Sequence, residues 1–211
     1  MKIGIIGAGF VGRAVANVAV KAGHEVMISN SRNPNSLFSL RAALGCQTGF
    51  AKEAAQFGEV LVIAVPLHAL GELPADIIGG KQVIDAVNYY PDRDGRIEDL
   101  DRGGLGTSEF LARYLPDARI TKGFNAVRMS DFETCGLPSG HPNRQALPLA
   151  GNDSAGKSIV TALYDTAGFD SVDVGPLSEG WRFERDQPCY CVRLTADELR
   201  QALSQAELRA A

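Results

Sequence analysis

Residues 7–12 read Gly-Ala-Gly-Phe-Val-Gly, and no other stretch limits so sharply what this chain can fold into. The pattern is G-x-G-x-x-G. It follows the apolar run Lys2-Ile3-Gly4-Ile5-Ile6, which reads as a buried strand. It precedes Val11, Val15, Val18 and Ala22, an apolar stripe at helical spacing. A strand, a glycine turn and a helix form the setting in which this pattern has a physical meaning. Gly7 permits the tight turn, Gly9 lets a pyrophosphate approach the main chain, and Gly12 lets the helix lie close against the strand. The free N–H groups at the helix start offer about half a positive charge to such an anion. The expectation is a strand–loop–helix unit that grips a dinucleotide, with Ala8, Phe10 and Val11 as further contacts in the same loop. The bland alternative, a glycine-rich turn without a ligand, lacks a reason for the flanking strand and helix.

The rest of the chain alternates in the same way. Apolar, β-prone runs mark strands at residues 25–29, 47–50, 59–65, 82–87, 119–126, 146–150 and 171–174. Helical segments are expected at 11–22, 37–44, 51–57 and 67–78, the last with a break at Pro74. Further helices start at Thr107 or Ser108, after Asn152-Asp153-Ser154, and at the capping box Thr195-Ala196-Asp197-Glu198. Residues 89–106 read as a long loop rich in Gly and Asp, of the kind that serves a site, and 128–145 as a second loop. Strands alternating with helices predict an α/β fold: a doubly wound, mostly parallel sheet covered on both faces. There is no internal repeat and no linker-like stretch, so residues 1–211 are expected to form a single domain whose last part, 175–211, is a small C-terminal extension.

The second strand tip addresses which nucleotide is bound. An NAD site usually carries an acid about 20 residues past the glycines, on the ribose 2′-hydroxyl. Here the tip reads Ser29-Asn30-Ser31-Arg32, with no acid. Asn30 and Ser31 can donate hydrogen bonds and Arg32 can pair with a 2′-phosphate, which favours NADP(H). The alternative for Arg32 is a solvated turn residue.

Composition removes other classes. A net charge of −4 gives no bulk attraction for nucleic acid or anionic membrane, and no apolar stretch approaches the length of a membrane span. The N-terminus lacks a secretory pattern, and Cys46, Cys135, Cys189 and Cys191 are scattered. Free thiols in a reducing cytoplasm are expected. Cys189-x-Cys191 has no second pair to complete a zinc site, so no metal is expected. His68, just past Pro66, is either a polar contact in the cofactor crevice or a helix cap. Asn125 is either a site amide or a turn residue. Trp181, Phe183 and Tyr190 either roof a cleft or bury against a partner, with the interface slightly favoured.

Several stretches together resemble one family, the NADPH-dependent reductases of the deazaflavin coenzyme F420 and their dinucleotide-binding relatives. They are residues 3–12 (IGIIGAGFVG), 29–32 (SNSR), 62–66 (VIAVP), 83–91 (VIDAVNYYP), 122–126 (KGFNA) and 149–153 (LAGND). The tail from 174 to 200 departs toward the broader bacterial relatives, which opens the identity of the second substrate. The resemblance implies a Rossmann-type domain, bound NADP(H), and hydride transfer to a flat ring such as F420, FMN or FAD. It places the nicotinamide at Ala64, Val65 and Pro66, and the acceptor cleft at His68, Asn88 and Asn125. It also implies a homodimer. No catalytic acid or base is assigned, because hydride transfer between rings asks mainly for stacking and exclusion of water. Two other functions compete. One is an NADPH-dependent reductase of a small carbonyl or imine, for which His68 is the proton donor the sequence offers. The other is a non-catalytic NADP(H) sensor.

Overall fold

The computed structural model describes residues 1–208. Eight strands form one sheet: β1 (Lys2–Ile6), β2 (Glu25–Ser29), β3 (Gln47–Gly49), β4 (Val60–Ile63), β5 (Gln82–Asp85), β6 (Arg119–Lys122), β7 (Ala146–Gly151) and β8 (Asp170–Asp173). Ten α-helical segments are interleaved with them. They are α1 (Phe10–Lys21), α2 (Phe38–Leu44), α3 (Ala51–Phe57), α4 (Ala75–Ile78), α5 (Pro91–Asp94), α6 (Glu98–Asp101), α7 (Thr107–Tyr114), α8 (Met129–Thr134), α9 (Ser154–Ala167) and α10 (Ala196–Ser204). Strand order across the sheet is β3-β2-β1-β4-β5-β6-β7-β8, and every pairing is parallel except β6 with β7. This is the expected α/β, doubly wound, mostly parallel architecture. The chain winds outward from β1 through β2 to β3, then returns to place β4 on the other side of β1. That reversal opens a crevice at the C-terminal ends of β1 and β4, where such sheets bind ligands.

Alternation along the central strands builds the two faces. Val60 and Val62 of β4 pack with Ile3 and Ile5 of β1, the small face of α1, and Val160 and Leu163 of α9. Leu61 and Ile63 point the other way and join Ile6, Ala55 of α3, Ile78 of α4 and Leu111 of α7. A strand buried on both faces needs such a continuous apolar run. A third cluster, around Val172, Phe183, Leu199 and Leu203, fastens α10 and the preceding segment to the β7–β8 edge.

The structure differs from expectation in three places. The expected break at Pro74 is present, with Leu73 extended (φ −67°, ψ 139°) because a proline disfavours helix in the residue before it, but the stretch ahead of it, Leu67–Glu72, is 3-10 rather than α-helical, and α4 follows. The two loops contain short helices, α5 and α6 in the first and α8 in the second. Finally, β6 ends at Lys122, short of Ala126, because Phe124 adopts φ +64° and turns the chain off the sheet.

Candidate functional site

The glycine loop sits where the sequence places it. Gly7 has φ +116°, and its N–H donates to the Ser29 carbonyl oxygen at 3.0 Å, which ties the loop to the tip of β2. A Cβ on Gly7 would fall 2.2 Å from the Ala64 carbonyl oxygen, so this glycine lets β1 and the end of β4 close together. Around Gly9 the space is open, with no atom within 4 Å of a Cβ built there. Gly9 also caps α1 without any side-chain hydrogen bond, and the first turn of α1 holds no acid. Its N–H groups therefore face a position that an anion can take.

Above this loop lies a cleft of about 490 Å³. Gly7, Ala8 and Gly9 form its floor, Asn30, Ser31 and Arg32 one end, and Ala64, Val65, Pro66 and His68 the other. Of the sequence candidates, the cleft gathers these ten. Phe10 stands 88% exposed beside it, Val11 is half-buried and Gly12 is buried under the loop. Asn30 is committed to the turn: its Nδ2 donates to Ser36 Oγ at 2.9 Å, and its Oδ1 accepts from the Arg32 N–H at 3.0 Å. This Asx turn holds Arg32 at the exposed rim. Its guanidinium has no ion pair among the described residues.

Asn88 and Asn125 are not in the cleft wall itself. They meet each other beside it, at the tips of β5 and β6. Asn88 Nδ2 donates to the Asn125 carbonyl oxygen at 2.9 Å, and Asn125 Nδ2 donates to Asn88 Oδ1 at 3.2 Å and to the Phe183 carbonyl oxygen at 3.0 Å. Asn125 is buried in the turn that follows β6, with its amide bonded within the chain. The Tyr190 hydroxyl lies 3.4 Å from Asn88 Nδ2 and forms a short hydrogen bond with the Tyr90 hydroxyl. Burial, followed by the Tyr90 hydroxyl, pushes the Tyr190 phenol well above its ordinary range.

One carboxylate joins the cleft to this second group. Asp94, its side chain wholly buried, accepts from the Tyr90 N–H at 3.0 Å and from Arg93, and stands 3.1 Å from His68 Nδ1. His68 therefore lines the cleft with its ring held from behind. Burial alone would raise the Asp94 carboxyl, but the hydrogen bonds from Arg93, the Tyr90 N–H and His68 hold it below the usual carboxylate range. Arg93 also packs over the Tyr90 ring, 4.8 Å from its centroid.

A buried charge cluster lies under the strand tips, and sequence reading missed it. Lys122, with no exposed side-chain surface, donates to Thr107 Oγ1 at 2.7 Å and stands 3.3 Å from Glu184 and 3.6 Å from the equally buried Asp85. Ser108 donates to Asp85, and the Thr107 N–H donates to Glu184 at 2.8 Å. The cluster ties β5, β6, α7 and Glu184, just after the 3-10 segment Leu177–Phe183, together. Its only sequence signal was a lysine at the end of an apolar strand. Phe183, read as a roof or interface residue, is fully buried in the chain's own core, while Trp181 lies under Arg182. Cys189 is buried, and among the described residues no cluster of His, Cys, Asp or Glu is placed to hold a metal. No helix among them is long and apolar enough to cross a membrane.

Comparison with known proteins gives these residues a context. Residues 2–89 match the family described as NADP oxidoreductase, coenzyme F420-dependent. The Escherichia coli K12 protein YjhV is 36% identical over 55 residues, and the match spans 40% of that curated relative's length. Among solved structures, the hypothetical protein SMa0349 of Sinorhizobium meliloti is 30% identical, with a TM-score of 0.75, over 93% of this chain and 96% of that one. A candidate F420-dependent NADP-reductase of Arthrobacter sp. FB24 is 24% identical with a TM-score of 0.70, covering 83% of this chain and 85% of that one, and shares the fold. With the glycine loop and acid-free β2 tip inside the matched residues, and a relative aligned over nearly its whole length, the chain belongs to the family of coenzyme F420-dependent NADP oxidoreductases.

Proposed function

We propose that this protein binds NADPH in the cleft above the glycine loop and passes its hydride to an acceptor held beside the tips of β4, β5 and β6. One observation carries the reading. A single open groove joins an uncapped helix start at Gly9, an unpaired arginine at the β2 tip and the apolar end of β4. These suit, in order, a diphosphate, a 2′-phosphate and a nicotinamide ring. The cofactor would supply the hydride. The chain's part is to hold the phosphates on main-chain N–H groups, fix Arg32 through the Asn30 turn, and present Ala64, Val65 and Pro66 as a flat apolar wall.

A flavin or deazaflavin such as F420 or FMN is the acceptor the family description favours. A small carbonyl or imine is a second reading, and a specific observation supports it: the wall beside the cleft carries two phenol hydroxyls and two amides rather than a bare stacking surface. Calorimetric titration tests the cofactor. NADPH should bind more tightly than NADH, and Arg32→Ala should weaken NADPH by about 1.5–3 kcal/mol while leaving NADH nearly unchanged. An equal loss for both would remove Arg32 from the 2′-phosphate site.

A further inference from the structure

We propose that Tyr190, backed by Tyr90 and Asn88, is the group that hydrogen-bonds the acceptor's oxygen or nitrogen and gives it a proton as hydride reaches the adjacent carbon. The assignment rests on the NADPH-oxidoreductase reading above and selects carbonyl and imine acceptors within it.

The candidate proton donor read from sequence was His68, whose Nδ1 is held by Asp94. Tyr190 stands on the far side of the same network. From the cleft, His68 leads to Asp94, Asp94 to the Tyr90 main chain, and the Tyr90 hydroxyl to that of Tyr190. Asn88 Nδ2 points at the same Tyr190 oxygen, and the Cys191 thiol lies beside it. Both tyrosines are partly exposed residues.

Two facing hydroxyls carry two protons and use one between them. When Tyr190 accepts from Tyr90 and from Asn88, its own proton is left to donate outward. A phenolate formed there would keep two donors, the Tyr90 hydroxyl and the Asn88 amide. The step balances. The acceptor carbon gains hydride, and the C=O or C=N π pair moves to the heteroatom. That atom forms its bond to the proton as the Tyr190 Oη–H bond breaks, and the phenolate regains a proton from solvent through Tyr90. The reduced nicotinamide is oxidised and the acceptor is reduced.

Tyr190→Phe keeps the ring and its packing while deleting the proton. NADPH oxidation is measured with methylglyoxal, 1-pyrroline, FMN and coenzyme F420, alongside NADPH binding. The expected result is turnover with methylglyoxal or 1-pyrroline that falls about 100-fold in kcat in Tyr190→Phe, with a smaller change in KM. NADPH binding should be unchanged. Undiminished carbonyl or imine turnover in Tyr190→Phe overturns the assignment. Turnover confined to FMN or F420, or absent with all four acceptors while NADPH binds, overturns it and leaves the cofactor site standing. A wild-type protein that does not bind NADPH brings down the parent reading instead.

Discussion

Gly12 has no room for even a methyl group: a Cβ there would sit 1.8 Å from the Gly7 carbonyl oxygen. Gly12→Ala should therefore force α1 away from the glycine loop. Overpacking of this kind costs about 1–3 kcal/mol, and against rigid backbone the upper end is expected. The melting temperature should fall and NADPH affinity with it, whereas an unchanged melt would mean the loop yields freely. Such a residue is legible from sequence because its constraint is local, between positions five apart. Tyr90 and Tyr190 stand one hundred positions apart, and nothing in either neighbourhood announces the other. Asp94 was hidden in the same way: it read as one more acid in a solvated loop, yet it is buried under His68 and Arg93.

Asp94 also governs its element, since α5 and the loop around it hang on that carboxylate. Its folded-state pKa is lowered, so its contribution is fully present above the unfolded value of about 3.9 and is lost as pH falls through the folded value. Asp94→Asn should cost about 2 kcal/mol at neutral pH, and its melting temperature should then decline less than the wild type's between pH 5 and 3. Parallel acid slopes for the two proteins would show that the loop is held some other way. Lys122 plays the same part for β6. Lys122→Met leaves Asp85 and Glu184 without their ammonium partner and should destabilise by about 3–5 kcal/mol in denaturant unfolding. A change under about 1 kcal/mol would mean that the cluster is solvated. Strands were the most readable elements because burial on both faces demands unbroken apolar runs. The break in 67–78 was signalled by Pro74, but the 3-10 winding before it was not, because no side-chain pattern separates one tight helical turn from another.

For the molecule as a whole, strand order decides where chemistry can occur. The reversal between β1 and β4 sets the cleft at the sheet's centre, and the crevice follows from the alternation of strands and helices alone. The cleft above the glycine loop draws on residues 6–73, one compact stretch, so its outline was legible along the chain. The wall opposite combines residues 88–94 with 125, 183 and 190, and only the folded sheet brings them together. That division also orders events in time. Local contacts form early, while those spanning a hundred residues wait for most of the chain to settle. On the proposed reading, the cofactor corner is closed by one stretch of chain, whereas the acceptor side is complete only where the segment carrying Tyr190 docks against the strand tips.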